Sequence, residues 1–225
     1  TDEFIQNFEV DIPEADVQSR ICEYLDKALT DLRELISAKQ RLLETLAEKR
    51  RALITHAVTQ GLDPKVPMKD SGIPWLGKIP AHWELNRAKV LFKEIDERST
   101  EGEEVLLSLR MGKGLVPHND VSEKVILPSE LVGYKKAAIG QLVINRMRAA
   151  SGLIAIVPQP GLVSPDYAVF EPIKAMELSY YTELFQTPLL QSLFRSESKG
   201  LGTGESGFLR LYSENFLSIH LPVPP

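Results

Sequence analysis

The sequence predicts an α+β protein: a mixed α/β domain joined to one long projecting helix that pairs with another helix. Three observations predict it. Residues 14–60 contain neither Pro nor Gly and are dominated by Leu, Ala, Glu, Lys and Arg, which lose little freedom in a helix. Beyond Gly61 the texture changes to short apolar runs broken by Gly and Pro, the pattern of strands and turns. Two stretches within that second region, 84–97 and 178–195, return to helical spacing. The expected organisation is a leading segment over 1–13, a helix over 14–60 and a domain over 61–225.

The first helix begins with Glu14 or Asp16 after Pro13 and ends at Gly61, with Pro64 and Pro67 beyond it. Apolar residues recur in steps of three and four through Ile21, Leu25, Leu29, Leu32, Ile36, Leu43, Leu46 and Leu53, a seam wide enough to bury against a partner helix. At about 1.5 Å per residue the rod is roughly 65 Å long, more than a domain of this size can cover. Lys39 and the Lys49/Arg50 pair interrupt the seam and set register or break the contact. On periodicity alone a plain spacer accounts for the same pattern.

Strands are expected at 105–109, 125–127, 141–145, 153–157, 167–170, 208–211 and 216–223. The ends of the chain echo each other. Glu3, Ile5, Phe8, Val10, Ile12 and Pro13 align without gaps on Glu214, Phe216, Ile219, Leu221, Val223 and Pro224. The echo suggests that 1–13 is the closing strand of a preceding or permuted domain, and that the chain is one period of a two-period protein.

Composition excludes several classes. With 43% hydrophobic and 25% charged residues the chain is neither disordered nor collagenous. One cysteine, Cys22, can form no internal disulfide or metal cluster, and no apolar stretch suits a bilayer. No secretory signal opens the sequence, so a cytoplasmic protein is expected. Thr1 stands where a translated chain has Met, which points to a processed chain or an excised piece. The net charge of −5 argues against binding nucleic acid through bulk charge, so any such face is a local cluster.

Chemistry is sparse. The glycine-rich run Lys199–Gly207 lacks the Gly-Lys-Ser/Thr of a phosphate loop and is expected to be a flexible loop near a ligand surface. The histidines stand singly at 56, 82, 118 and 220, and neither a nucleophile elbow nor a metal motif is present. No catalytic residue and no metal site is predicted. Two cationic clusters lie between apparent strands: Asn145, Arg146, Arg148 and Ser151, preceded by Lys135 and Lys136, and the loop carrying Arg110, Lys113 and His118. Arginine at a strand end can fork onto guanine or phosphate, and Ala149, Ala150 and Gly152 leave room for close approach. Spacing equally allows Arg146 and Arg148 to pair with Asp166 or Glu171.

The run 61–84, from Gly61-Leu62-Asp63-Pro64 through Asp70-Ser71-Gly72-Ile73-Pro74-Trp75-Leu76-Gly77 to Ala81-His82-Trp83-Glu84, resembles the join between conserved helix and target recognition domain in specificity subunits of type I restriction-modification systems. Residues 41–59 resemble the family's spacer helix, and 140–148 and 161–170 are similar to its recognition-domain segments. The resemblance covers nearly the whole chain. It implies a non-catalytic, sequence-specific DNA-binding subunit whose antiparallel helices set the spacing of two half-sites. It also implies a modification subunit that uses S-adenosylmethionine and a restriction subunit that uses ATP and Mg²⁺, with no cofactor in this chain.

The family pattern has two helices and two recognition domains; this sequence has one of each. Two copies pairing through the helix, or a second half of a longer subunit, would complete it. Expected DNA contacts are Arg110, Lys113, Lys135, Lys136, Asn145, Arg146, Arg148, Ser151 and Lys199. The competing reading from the residues is a coiled-coil protein-interaction adaptor without DNA specificity, which the acidic balance slightly favours.

Overall fold

The computed structural model describes residues 11–200 and 209–225. The chain divides into two compact units, Thr1–Arg50 and Arg51–Pro225. The division falls inside helix α1 (Ala15–Gln60), ten residues before the composition changes. Asp16 sits in the first turn of α1, where a carboxylate suits the helix dipole. At the other end Gly61 takes φ +80°, and its N–H donates to the carbonyl of Ala57 at 3.1 Å, closing the helix as glycine can without strain.

Within the first unit the predicted seam is exposed. Ile21, Leu25, Leu29, Leu32, Ile36, Leu43 and Leu46 each keep between 45% and 66% of their surface open to solvent, as does Leu53 of the second unit at 61%.

The second unit starts with the last turns of α1, a two-stranded flap of β1 (Met68–Asp70) and β2 (Lys78–Pro80), then β3 (Glu84–Arg87), a single turn α2 (Ala88–Leu91) and β4 (Phe92–Ile95). Continuous helix was expected over 84–97. Cross-strand pairing overrides the local spacing: β3 pairs with β12 (His220–Val223) and β4 with β11 (Tyr167–Pro172), leaving four residues between them to turn.

Next come the hairpin β5 (Leu107–Arg110) and β6 (Gly114–Pro117), the turn α3 (Pro128–Leu131), β7 (Lys135–Ala137), β8 (Leu142–Asn145), β9 (Ile154–Ile156) and β10 (Gly161–Val163). Residues 125–127, expected to form a strand, pair with none and lead into α3. After β11 follow α4 (Leu178–Phe185), α5 (Pro188–Glu197) and α6 (Ser213–Ser218). The single helix expected over 178–195 is two, because Thr187 caps a new one: its hydroxyl accepts from the Leu190 N–H and Pro188 occupies the first position. The strand expected over 216–223 is shortened at its start, where Phe216 belongs to α6. The early half of the end-to-end echo lies almost wholly outside the described residues, as do most of 199–207 and part of 208–211.

The central sheet has the order β4-β11-β8-β9, antiparallel throughout. Strand β8 is buried at every position, so it reads as a continuous apolar run rather than an alternation. Its two faces serve two cores. Leu142 and Ile144 join Ala168, Phe170 and Ile154 under the helices, against Leu184, Phe185, Leu190, Phe194 and Phe216. Val143 joins Val169 and Ala155 against Leu107, Leu109 and Leu115 of the β5–β6 hairpin. A third cluster, Leu76, Ile79 and Trp83, lies under the flap, and Trp83 meets Tyr180 edge to face at 6.2 Å. Tyr180 also donates its hydroxyl to the Val58 carbonyl at 2.9 Å, tying the last turns of α1 to α4. Among the described residues no helix is long and apolar enough to cross a membrane.

Candidate nucleic-acid interface

At one end of the central sheet the chain turns from β8 into β9 through Asn145–Leu153. The Asn145 carboxamide oxygen accepts from the N–H groups of Met147 and Arg148 at 3.1 and 3.2 Å, a side-chain mimic of a backbone turn. A 3₁₀ turn at Ala149–Ser151 and Gly152 at φ +76° complete the loop. Asn145, expected at the DNA surface, is instead buried and shapes the loop from within. The small residues also point inward. Ala149 is 1% exposed and Gly152 is buried near Gln191 of α5, so their size serves packing and not access. The loop leaves Met147, Arg148 and Ser151 exposed.

Directly opposite Asn145 on the neighbouring strand stands Tyr167. Burial raises the pKa of its hydroxyl, while the Asn145 side chain and the charges of Arg110 and Arg148 pull the other way. Tyr167 thus starts its strand beside the β8–β9 turn. Arg110 ends β5, and the hairpin tip Met111-Gly112-Lys113 returns to β6 with Gly112 and Gly114 both at φ +72°, the left-handed backbone that favours glycine. A Cβ on Gly114 would touch that of Ala155 at 3.7 Å, which places the hairpin against β9. Arg110, Met111 and Lys113 are exposed. Among the described residues no carboxylate lies within ion-pair distance of Arg110, Lys113 or Arg148. Tyr167 is the residue that sequence reasoning missed; its start-of-strand position after Pro165-Asp166 was the available signal.

Three of the other predicted cations are engaged by carboxylates. Lys135 is 1% exposed, its ammonium 3.0 Å from Asp96 and 3.8 Å from Glu94, which removes it from any surface. Arg146 shares Glu94 at 3.3 Å and has a buried Nε without a hydrogen-bond partner. Lys136 bridges Glu97 at 3.6 Å and Glu104 at 3.3 Å. The Ser99 hydroxyl, with help from Lys136, holds the Glu104 carboxyl below its ordinary range. For Asp96 partial burial opposes ionisation, but hydrogen bonds and charge from Lys135 and Arg98 prevail and lower its pKa. The alternative partners of Arg146 are taken as well, Asp166 by Arg210 at 3.3 Å and Glu171 by Lys93 at 3.5 Å. Lys199 is exposed and pairs through its backbone with Arg210. His118 rests between the Ser108 hydroxyl and the Lys124 carbonyl. No group of three or more His, Cys, Asp or Glu side chains among the described residues could hold a metal ion.

No family model and no curated protein matches the chain. Solved structures similar to 95% of it include the following two. One comes from a study of complex assembly and conformational transition of the type I R-M system, at 16% identity and a TM-score of 0.56, with 49% of that chain covered. The other is the HsdS subunit from Thermoanaerobacter tengcongensis, at 18% identity and a TM-score of 0.47, with 48% covered. The chain spans about half the length of the chains it matches, and the first likeness establishes that it shares the fold of that half of a type I R-M chain.

Proposed function

We propose that the chain is the DNA-reading half of a type I restriction-modification specificity subunit, recognising one half of a bipartite site. The observation that carries this reading is three exposed cations, Arg110, Lys113 and Arg148, that meet no carboxylate at ion-pair distance among the described residues and stand on two neighbouring loops, the hairpin packing through Gly114 on Ala155 just beyond the Asn145–Leu153 turn. Cations already neutralised by internal carboxylates contribute little to a phosphate, whereas unpaired ones release counterions on binding. Arg110, Lys113, Arg148, Ser151 and Lys199 are the proposed DNA contacts. Lys135, Lys136, Asn145 and Arg146 hold the domain that presents them.

The exposed seam of α1 supports the rest of the assignment. Leucines and isoleucines at this spacing cost free energy in water, and an antiparallel helix of a second copy, or of the other half of a longer subunit, would cover them. The paired helices would set the half-site spacing and dock the modification subunit. The chain then performs no chemistry itself. S-adenosylmethionine belongs to the modification subunit and ATP with Mg²⁺ to a restriction subunit. The type I R-M likeness agrees with this reading at the level of fold.

The test is co-purification with a modification subunit, followed by mapping of methylated adenines in DNA exposed to the complex. A bipartite motif supports the proposal, and a symmetric one supports two copies of this chain. No association, or DNA affinity indifferent to sequence and salt, would overturn it in favour of a protein-interaction adaptor.

A further inference from the structure

Of the four methionines in the chain, two stand at the tips of the loops that carry Arg110, Lys113 and Arg148. Met111 is 60% exposed and Met147 is 43% exposed. Single exposed apolar residues need no explanation, but these two have fixed positions. The Met147 N–H is held by the Asn145 oxygen, and Met111 is framed by Arg110 and by Gly112 in the left-handed conformation. The two loops are neighbours, because the hairpin that carries Met111 packs through Gly114 on Ala155, two residues beyond the turn that carries Met147. An exposed apolar, polarisable side chain with exposed cations beside it in the chain suits a surface that presents phosphates at its edges and a methyl group between them. In duplex DNA that is the major groove over thymine, where the C5-methyl is the apolar feature of the base edge.

We infer that Met111 and Met147 determine specificity by contacting thymine methyl groups of the half-site. This rests on the DNA-reading function proposed above. The cations position the duplex, and the methionines discriminate among bases.

Duplexes selected from a randomised pool by the chain with its modification subunit define the half-site, and each thymine is then replaced in turn by deoxyuridine, which lacks only the methyl group. Wild-type affinity should fall about fourfold at one or more positions, the worth of one buried methyl. Met147→Ala or Met111→Ala should bind the thymine and deoxyuridine duplexes equally at the position it reads, whereas Arg148→Ala, though weaker, should keep the difference. A half-site without thymine, neutrality of every deoxyuridine, or undiminished sensitivity in both methionine variants would overturn the inference alone. Selection of no motif at all would overturn the DNA-reading proposal beneath it. Because the methyl group is removed in the DNA, the wild-type comparison does not depend on how a protein variant folds, and each variant is compared with itself on the two duplexes.

Discussion

At the scale of single residues, the cations divide by whether a carboxylate meets them. Arg148 is exposed and, among the described residues, meets no carboxylate at ion-pair distance, so Arg148→Ala should weaken DNA binding by about 1–3 kcal/mol if it reads a base, and lower the salt slope by about one if it holds a phosphate. Its thermal midpoint should match wild type, which calorimetry can check. Lys135 behaves in the opposite way. Lys135→Met should leave DNA affinity intact and cost about 1–3 kcal/mol of stability at pH 7, because Asp96 and Glu94 lose their buried partner while remaining partly open to water. Asp96 titrates lower when folded than when unfolded, so its contribution is present above the ordinary carboxylate range and lost as pH falls through and below it. Urea melts of wild type and Lys135→Met should accordingly converge from pH 7 towards pH 3. The candidate site was only half legible in the sequence for this reason. The lysines and arginines were visible as clusters, but Glu94, Asp96, Glu97 and Glu104 come to them from distant chain positions, and spacing cannot show which cations they claim.

At the scale of elements, legibility followed the range of the deciding contact. Helix α1 was read almost to the residue because nothing but local composition and its terminal glycine decides it. The stretch 84–97 was misread because its partners lie beyond residue 160, and 178–195 because Thr187-Pro188 restarts a helix whose apolar spacing continues across the break. The joint between the last turns of α1 and α4 combines the packing of Val58 with one hydroxyl. Burial pushes the Tyr180 pKa well above the usual tyrosine range, so the group stays protonated and donates to Val58 at neutral pH. Tyr180→Phe keeps the ring against Trp83 and removes only that donation, which should cost about 1 kcal/mol. In a domain of this size that is a fall of roughly 2–4 °C in the melting midpoint, with the aromatic circular dichroism of Trp83 little changed.

At the scale of the whole molecule, association should be separable from folding. Leu32 and Ile36 sit mid-seam, about half exposed, so Leu32→Asp with Ile36→Asp removes apolar contacts only from a partner helix. Sedimentation should show the wild type as a self-associated species and the double variant as a monomer, each with the same unfolding transition for Arg51–Pro225; a wild-type monomer at micromolar concentration would count against pairing between copies. The pairing of β3 with β12 has a consequence for synthesis. Among the described residues Glu84–Arg87 finds its strand partner only in His220–Val223, and the carbonyl of Ile219 receives the Ala88 N–H beside it. A nascent chain can therefore complete α1 early, yet the β3 edge stays open until Val223 has left the ribosome. During that interval the unpaired strand is available to chaperones, or to the same strand of a neighbouring chain on one polysome.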